Sequence, residues 1–236
     1  MATKKVKVKV KKKKIKIKNI LIMLAILLLI SLMLAYLINL PVKNIYIQGN
    51  EIISDKEIIK ISGLENYPSF MKTYFLDIKT KLKDNKYIKN ASITRKLFGK
   101  IYINIEEYHP ICIYNDKLVL SSSNKVSNTY NIDYVPYVIN NIDTIYTKFV
   151  EKFSLVDDKI LTKISHIEYV PNEVDKERFI LYMVDSNYVY ITLSKIEKIN
   201  KYNSIVKELE EKKGIIYLDS GDYVEIKGWH NQALII

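Results

Sequence analysis

The residues of this chain that could do chemistry are few, and their spacing keeps them apart. His109 and Cys112 are three positions from each other in what reads as extended chain, so they project from opposite faces and form no local thiol–imidazole pair. His166 and His230 have no acidic or cysteine partners at metal-ligand spacing, which argues against a zinc-type centre. No G-x-S-x-G, H-E-x-x-H or P-loop occurs, and the six glycines form no cluster able to cradle a phosphate. The neighbouring acids Asp157 and Asp158 fall on an expected amphipathic helix, where solvation accounts for them. These residue types ask for no catalytic group, metal or cofactor, and a non-enzymatic protein is expected.

The elements that would position such residues begin with one stretch. From Ile20 to Leu40 the sequence is apolar, and no charged side chain stands between Lys18 and Lys43. At about 1.5 Å per residue such a helix is roughly 30 Å long, the thickness of a bilayer's hydrocarbon core. It exceeds the apolar region of about 7–15 residues in a signal peptide and lacks a small-x-small cleavage site, so an uncleaved membrane anchor is expected. Residues 1 to 18 carry ten lysines and no acid, which places that end in the cytoplasm and the rest of the chain outside.

The formal charge of +11 therefore belongs to the tail, because the remaining chain has 27 basic residues against 26 acidic ones. A lysine run without arginine, stacking aromatics or a groove-reading element argues against nucleic acid. Beside a membrane, anionic lipid is the expected partner of the tail. Cys112 is the sole cysteine, so no intrachain disulfide can form. The nineteen tyrosines recur at strand spacing and read as wet-edged sheet faces.

After the span, VKNIYIQGN alternates as a strand with Ile45 and Ile47 on one side and breaks at Gly49-Asn50. Ser54 and Glu57 have the spacing of a capping box, Ile53 and Ile58 that of a hydrophobic staple, and Gly63 is a stop. Asp77 is expected to cap a second helix that buries Ile78 and Leu82. In ASITRKLFGKIYINIEE, a loop at Phe98 to Lys100 would pair Leu97 with Ile101 and Ile93 with Ile105, which keeps the apolar residues on one face. The result is a β-α-α-β-β module of α+β class.

YFLDI at 74 to 78, and YIKNASITRKLFGKIYINIEEYHPICIY at 87 to 114, resemble the membrane-proximal POTRA domain of the DivIB/FtsQ family of bacterial cell-division proteins. On this resemblance Phe75 and Asp77 belong to the aromatic-aliphatic-Asp start of the second helix. Ile93 and Arg95 match the Val-x-Arg of the next strand, and Glu106 to Pro110 match the acid and the x-Pro that close the module. Phe98-Gly99 departs from the Pro-containing turn of many members.

The resemblance extends to the layout: basic tail at 1–18, transmembrane helix at 19–41, POTRA-like domain at 42–110, β-rich domain at 111–228 and C-terminal tail at 229–236. In the second module Thr144 to Ile160 has helical apolar spacing. RFILYMVDSNYVYITL reads as a hairpin turning at Asp185 to Asn187, with Phe179, Leu181 and Met183 opposite Leu193, Ile191 and Val189, and Tyr182 facing Tyr190. Ser194 and Glu197 have the spacing of a second capping box for a helix to Lys212, stopped by Gly214.

The last strand, Tyr223, Val224, Glu225, Ile226 and Lys227, reads as a sheet edge open to another chain. Trp229 either joins that surface or packs back on the sheet. The resemblance implies that this region takes a strand from a DivIC/FtsB-like partner, with an FtsL-like protein in the same assembly. The expected function is a divisome scaffold: a single-pass protein at the septum that binds other single-pass division proteins and stabilises the wall-synthesis machinery. A membrane-anchored wall enzyme and a POTRA-type chaperone for exported polypeptides are the alternatives.

Overall fold

The structure is a computed structural model, and it describes residues 17–71, 73–96, 98–210, 212–226 and 233–235. Helix α1, Ile17–Ile38, buries none of its side chains against the rest of the chain and is long and apolar enough to cross a membrane. A chain then follows in which two sheets share the remaining residues.

The first sheet holds β1 (Asn44–Gln48), β2 (Ile88–Lys96) and β3 (Lys100–Glu107) in the order β1-β3-β2, with β1 parallel and β2 antiparallel to β3. Helices α2 (Asp55–Ser62) and α3 (Phe75–Lys83) cover one face. The Ser54 side chain accepts from Glu57 N–H, Gly63 closes α2 in the left-handed conformation, and the stapled pair Ile53 and Ile58 is buried. Glu57 does not complete the expected box: its carboxylate accepts from Tyr130 Oη at 2.9 Å instead. Asp77 is no cap either. Tyr74 holds the cap position without a side-chain bond, and Asp77 sits in the first turn, where a carboxylate favours the helix dipole.

The hairpin between β2 and β3 differs from the expected register. Ile93 lies opposite Ile103 and Arg95 opposite Ile101, while Leu97, expected to pair with Ile101, lies outside the described residues. Side-chain parity is unchanged, so the same residues face the helices. The turn is shifted because Phe98 and Gly99 both adopt positive φ, at 67° and 74°, and because Gly99 meets the incoming chain. Its carbonyl accepts from Lys43 N–H at 2.8 Å, and a Cβ there would lie 2.8 Å from the Pro41 carbonyl oxygen.

The second sheet has ten strands. In chain order they are β4 (Pro110–Tyr114), β5 (Lys117–Leu120), β6 (Lys125–Val126), β7 (Tyr137–Val138), β8 (Ile164–Tyr169), β9 (Arg178–Met183), β10 (Tyr188–Thr192), β11 (Gly214–Tyr217), β12 (Tyr223–Ile226) and β13 (Ala233–Ile235). Their spatial order is β13-β12-β11-β10-β9-β8-β7-β4-β5-β6. The β4–β5 hairpin is buried on both faces, which explains its unbroken apolar sequence. Ile111, Cys112, Tyr114 and Val119 join the core of the large sheet, whereas Ile113, Leu118 and Leu120 join the core under α2 and α3. One hairpin is thus a wall common to both cores. Tyr87 Oη donates across the same junction to the Ser127 carbonyl at 2.9 Å.

The expected helix over 144 to 160 is two helices, α4 (Tyr146–Phe153) and α5 (Asp158–Leu161). Asn200 splits them: its side chain accepts from Asp157 N–H at 2.9 Å and donates to the Leu155 carbonyl at 3.0 Å, supplying both partners that a helix turn would have provided. Phe153, Val156 and Ile160 are buried nonetheless.

The 178–192 hairpin turns one residue earlier than expected. Phe179 pairs with Ile191 and Leu181 with Val189, so Tyr182 faces Tyr188, edge to face at 5.4 Å between centroids, and not Tyr190. Asn187 fixes the turn. Its buried amide donates to Asp185 at 3.1 Å and to Tyr202 Oη at 3.0 Å, and its oxygen accepts from Gly214 N–H at 2.9 Å.

The segment after β10 is a 3-10 helix, Leu193–Lys201, followed by α6 (Tyr202–Glu208), and no Ser194 cap forms. Ile196, Ile199, Tyr202 and Ile205 are buried at a spacing of three, the period of a 3-10 turn. Gly214 does not stop this helix but opens β11.

Candidate functional site

The residues singled out at the end of the chain meet in one place. β11 and β12 are antiparallel, with Ile216 opposite Val224 and Tyr217 opposite Tyr223. Gly214 permits a close approach there, because a Cβ would lie 2.3 Å from the Glu225 carbonyl oxygen. Val224 is fully buried, Tyr223 and Ile226 are half-buried, and Glu225 is exposed.

On the opposite face from Val224, Tyr190, Tyr217 and Tyr223 form a continuous ring stack, with centroids 5.1 and 4.6 Å apart. The Arg178 guanidinium lies over Tyr190 at 4.1 Å and its Nε donates to Asp219 at 2.7 Å. Burial first, and then the Glu225 carboxylate, push the Tyr217 phenol up to about 12. The 3-10 helix presents Lys195 to the Asp219 carbonyl at 2.6 Å and Lys198 to the Asp222 carboxylate at 2.5 Å, so the turn between β11 and β12 is gripped from two sides.

The outer side of β12 is not bare. β13 pairs with it antiparallel, Tyr223 opposite Ile235, Val224 opposite Leu234 and Glu225 opposite Ala233, and the sheet ends at β13. The sequence expectation of an open edge is therefore corrected at Tyr223, Val224 and Glu225, which a three-residue segment of the chain's own tail covers. Lys227 and Trp229 lie outside the described residues.

The POTRA motif residues do not gather into a site. Phe75 opens α3, Asp77 is exposed on it, and Ile93 is half-buried in β2. Arg95 turns inward: its guanidinium lies 5.1 Å from the Phe70 ring centroid and donates to the Thr73 carbonyl. Glu106 is exposed and pairs with Lys89 at 2.6 Å, and Pro110 is buried at the start of β4.

The acid with structural weight is Glu107, which the sequence reading did not single out. Its carboxylate accepts from the backbone N–H groups of Glu51 at 3.0 Å, Ile52 at 2.7 Å and Ile53 at 3.0 Å, fixing the turn that launches α2. The strand pattern offered a signal, since Glu107 continues the inward series Ile101, Ile103 and Ile105.

His109 Nδ1 lies 3.4 Å from Asp158 Oδ2 beside a cleft of about 280 Å³ between the two cores, lined also by Glu51, Glu107 and Tyr134. Cys112 is fully buried, and burial drives its thiol far above the usual range. His166 stands against Tyr137, 6.1 Å between ring centroids, and His230 lies outside the described residues. Among the described residues no three His, Cys, Asp or Glu side chains are placed to hold a metal.

Residues 40–108 match the family described as POTRA domain, FtsQ-type. The cell division protein DivIB of Bacillus subtilis (strain 168) is 28% identical over 162 residues, 65% of this chain and 61% of that protein. The DivIB of Brevibacillus brevis is 25% identical over 180 residues, 71% of this chain and 68% of that one. The cell division protein FtsQ of Rickettsia bellii is 27% identical over 101 residues, 42% and 38% of the two chains. The matched region thus spans about three fifths of the first of these relatives. Among solved structures, the extracytoplasmic domain of DivIB from Geobacillus stearothermophilus aligns with a TM-score of 0.37 at 18% identity, over 44% of this chain and 96% of that one.

Proposed function

We propose that the chain is a member of the DivIB/FtsQ family of bacterial cell-division proteins, a reading supported by its POTRA match and its relatives, and that it is a non-catalytic scaffold of the divisome. It sits at the septum with its lysine-rich tail in the cytoplasm and its folded modules outside. Those modules, a POTRA-like unit to residue 110 and a β-rich unit from 111 to 228, bind DivIC/FtsB-like and FtsL-like single-pass proteins and so stabilise septal wall synthesis. The basic tail adds contact with anionic lipid at the inner leaflet.

The observation that supports this reading is the end of the large sheet. β12 is held on one side by its pairing with β11 and the tyrosine stack, with the turn that leads into it fixed by Arg178, Lys195 and Lys198, and is covered on the other by only three residues. A longer strand from a partner would form more backbone pairs along β12 than Ala233–Ile235 does, and would displace it. The contact needs no reactive group, and the relatives carry the names of cell-division proteins rather than enzymes.

Co-purification from membranes tests the assignment. Val224→Pro removes a backbone donor from β12, and Glu225→Arg alters an exposed side chain on the same strand without touching the core. Loss of the single-pass partner with both variants is expected. Undiminished partner in a folded Val224→Pro protein sinks the strand assignment.

A further inference from the structure

The end of the first sheet that faces the spanning helix differs from the rest of that module. Asn44, Lys100 and Lys96 stand side by side across β1, β3 and β2, so the start of β1 and the Phe98-Gly99 tip point the same way. Backbone bonds tie the neighbouring loop to the chain leaving α1. Phe70 N–H donates to the Leu40 carbonyl at 2.8 Å, Val42 N–H to Pro68 at 2.9 Å, and Ser69 Oγ to the Ile38 carbonyl. Pro41 and Ser69 form a β-bridge. Arg95 holds the Thr73 carbonyl, which brings the start of α3 to the same end. These loops are therefore anchored to residues 38–43, at the point where the apolar helix stops.

The surface there is apolar. Tyr67 (56% exposed), Met71 (52%), Tyr74 (70%), Leu76 (79%) and Phe98 (80%) all show large side chains to solvent. Among the described residues from 42 to 110, Tyr46 is the other large hydrophobic side chain so exposed, and it stacks on Tyr102 at 4.6 Å. None lies at the opposite end of the module, around Gly49 and Tyr87. Lys43 and Lys96 are exposed beside the apolar set and Lys100 is half-buried; the acids nearest in sequence are Glu65 and Asp77.

We infer that this end of the module is a membrane-docking face, with Tyr67, Met71, Tyr74, Leu76 and Phe98 in the headgroup layer next to α1 and the lysines against lipid phosphate. The occupant is the bilayer, because the residues that tie these loops down are the ones that end the spanning helix. A lipid surface is then already within reach, and aromatic rings and lysines are the side chains that settle at its interface. The docked module would be fixed in tilt as well as tethered, and through the shared β4–β5 wall it would set the height at which β12 and β13 stand above the membrane. The inference depends on α1 spanning a bilayer and on no partner.

The test uses the full-length chain with Trp229→Phe, reconstituted in vesicles of phosphatidylethanolamine and phosphatidylglycerol that contain lipid brominated high on its acyl chains. Leu76→Trp and Phe98→Trp are read against Asn90→Trp, an exposed position toward the other end of β2. Tryptophan at 76 and at 98 is expected to be quenched at least about twofold more than at 90, because interfacial rings sit within reach of the bromines. Equal, weak quenching at all three positions overturns the inference and leaves that face to water or to protein.

Discussion

Replacing Glu107 by Gln isolates the link between β3 and the start of α2. The carboxylate accepts three backbone N–H groups, two on Oε2 and one on Oε1, in a site only 9% exposed. A glutamine can keep its oxygen toward two of these donors but must turn its own NH2 toward the third. Hydrogen bonds to a charged group contribute about 1.5–3 kcal/mol each and neutral ones about 0.5–1.5. Losing one such bond outright and weakening two others by about 1–1.5 kcal/mol each predicts a cost of about 3.5–6 kcal/mol. Glu106→Gln removes only a surface pair with Lys89, in which both side chains are half exposed, and its cost is about 0–1 kcal/mol. Urea unfolding of the full chain in detergent micelles, followed by circular dichroism, separates the two. With a slope of about 2 kcal/mol per molar, Glu107→Gln should lower the midpoint by roughly 1.75–3 M and Glu106→Gln by less than about 0.5 M. Equal midpoints for the two variants, or a larger loss at Glu106, would refute the reasoning.

Deleting residues 232 to 236 removes β13, so partner recovered by co-purification should rise severalfold as the competing strand disappears; a fall would mean that β13 is part of the docking surface. Cys112 should resist thiol reagents at pH 8 in the native protein and react fully in denaturant, since burial both covers the thiol and suppresses the thiolate. Tyr130, Tyr146, Tyr182 and Tyr217 are each raised from 10 to about 12, chiefly by burial and, for Tyr182, first by its hydrogen bond to Glu168. Because their folded values lie above the unfolded one, the stability they contribute is complete below pH about 10 and is lost as pH rises through about 12. Absorbance at the tyrosinate band should show these four phenols, and Tyr202, whose phenol burial pushes higher still, ionising late and together with alkaline unfolding; a smooth titration centred at pH 10 would contradict this.

Much of the architecture was legible because local signals agreed with it. The 21-residue apolar run from Ile20 to Leu40, the Ser54 cap with the Ile53–Ile58 staple, and the alternation in β3, β9 and β10 each report on neighbours a few positions away. What escaped depends on residues distant in sequence. Neither hairpin register could be read, since Gly99 is placed by Pro41 and Lys43, and Asn187 by Tyr202 and Gly214. The split between α4 and α5 comes from Asn200, more than forty positions away. The residues buried from Ile196 to Ile205 recur every three positions, a period close enough to the α-helical one that the Ser194 and Glu197 spacing read as the start of an ordinary helix. At the candidate site, Tyr223 to Ile226 were legible as a strand, while its cover by Ala233–Ile235 was not, because those three tail residues carry no turn signal that ties them to β12.

Photo-cross-linking in living cells, with a benzophenone side chain replacing Tyr223, Glu225 or Asn90 in turn, tests the strand assignment at the heart of this account. Adducts to one single-pass division protein from positions 223 and 225, and none from 90, are the predicted result. Partner captured only from position 90, with 223 and 225 silent, would contradict it.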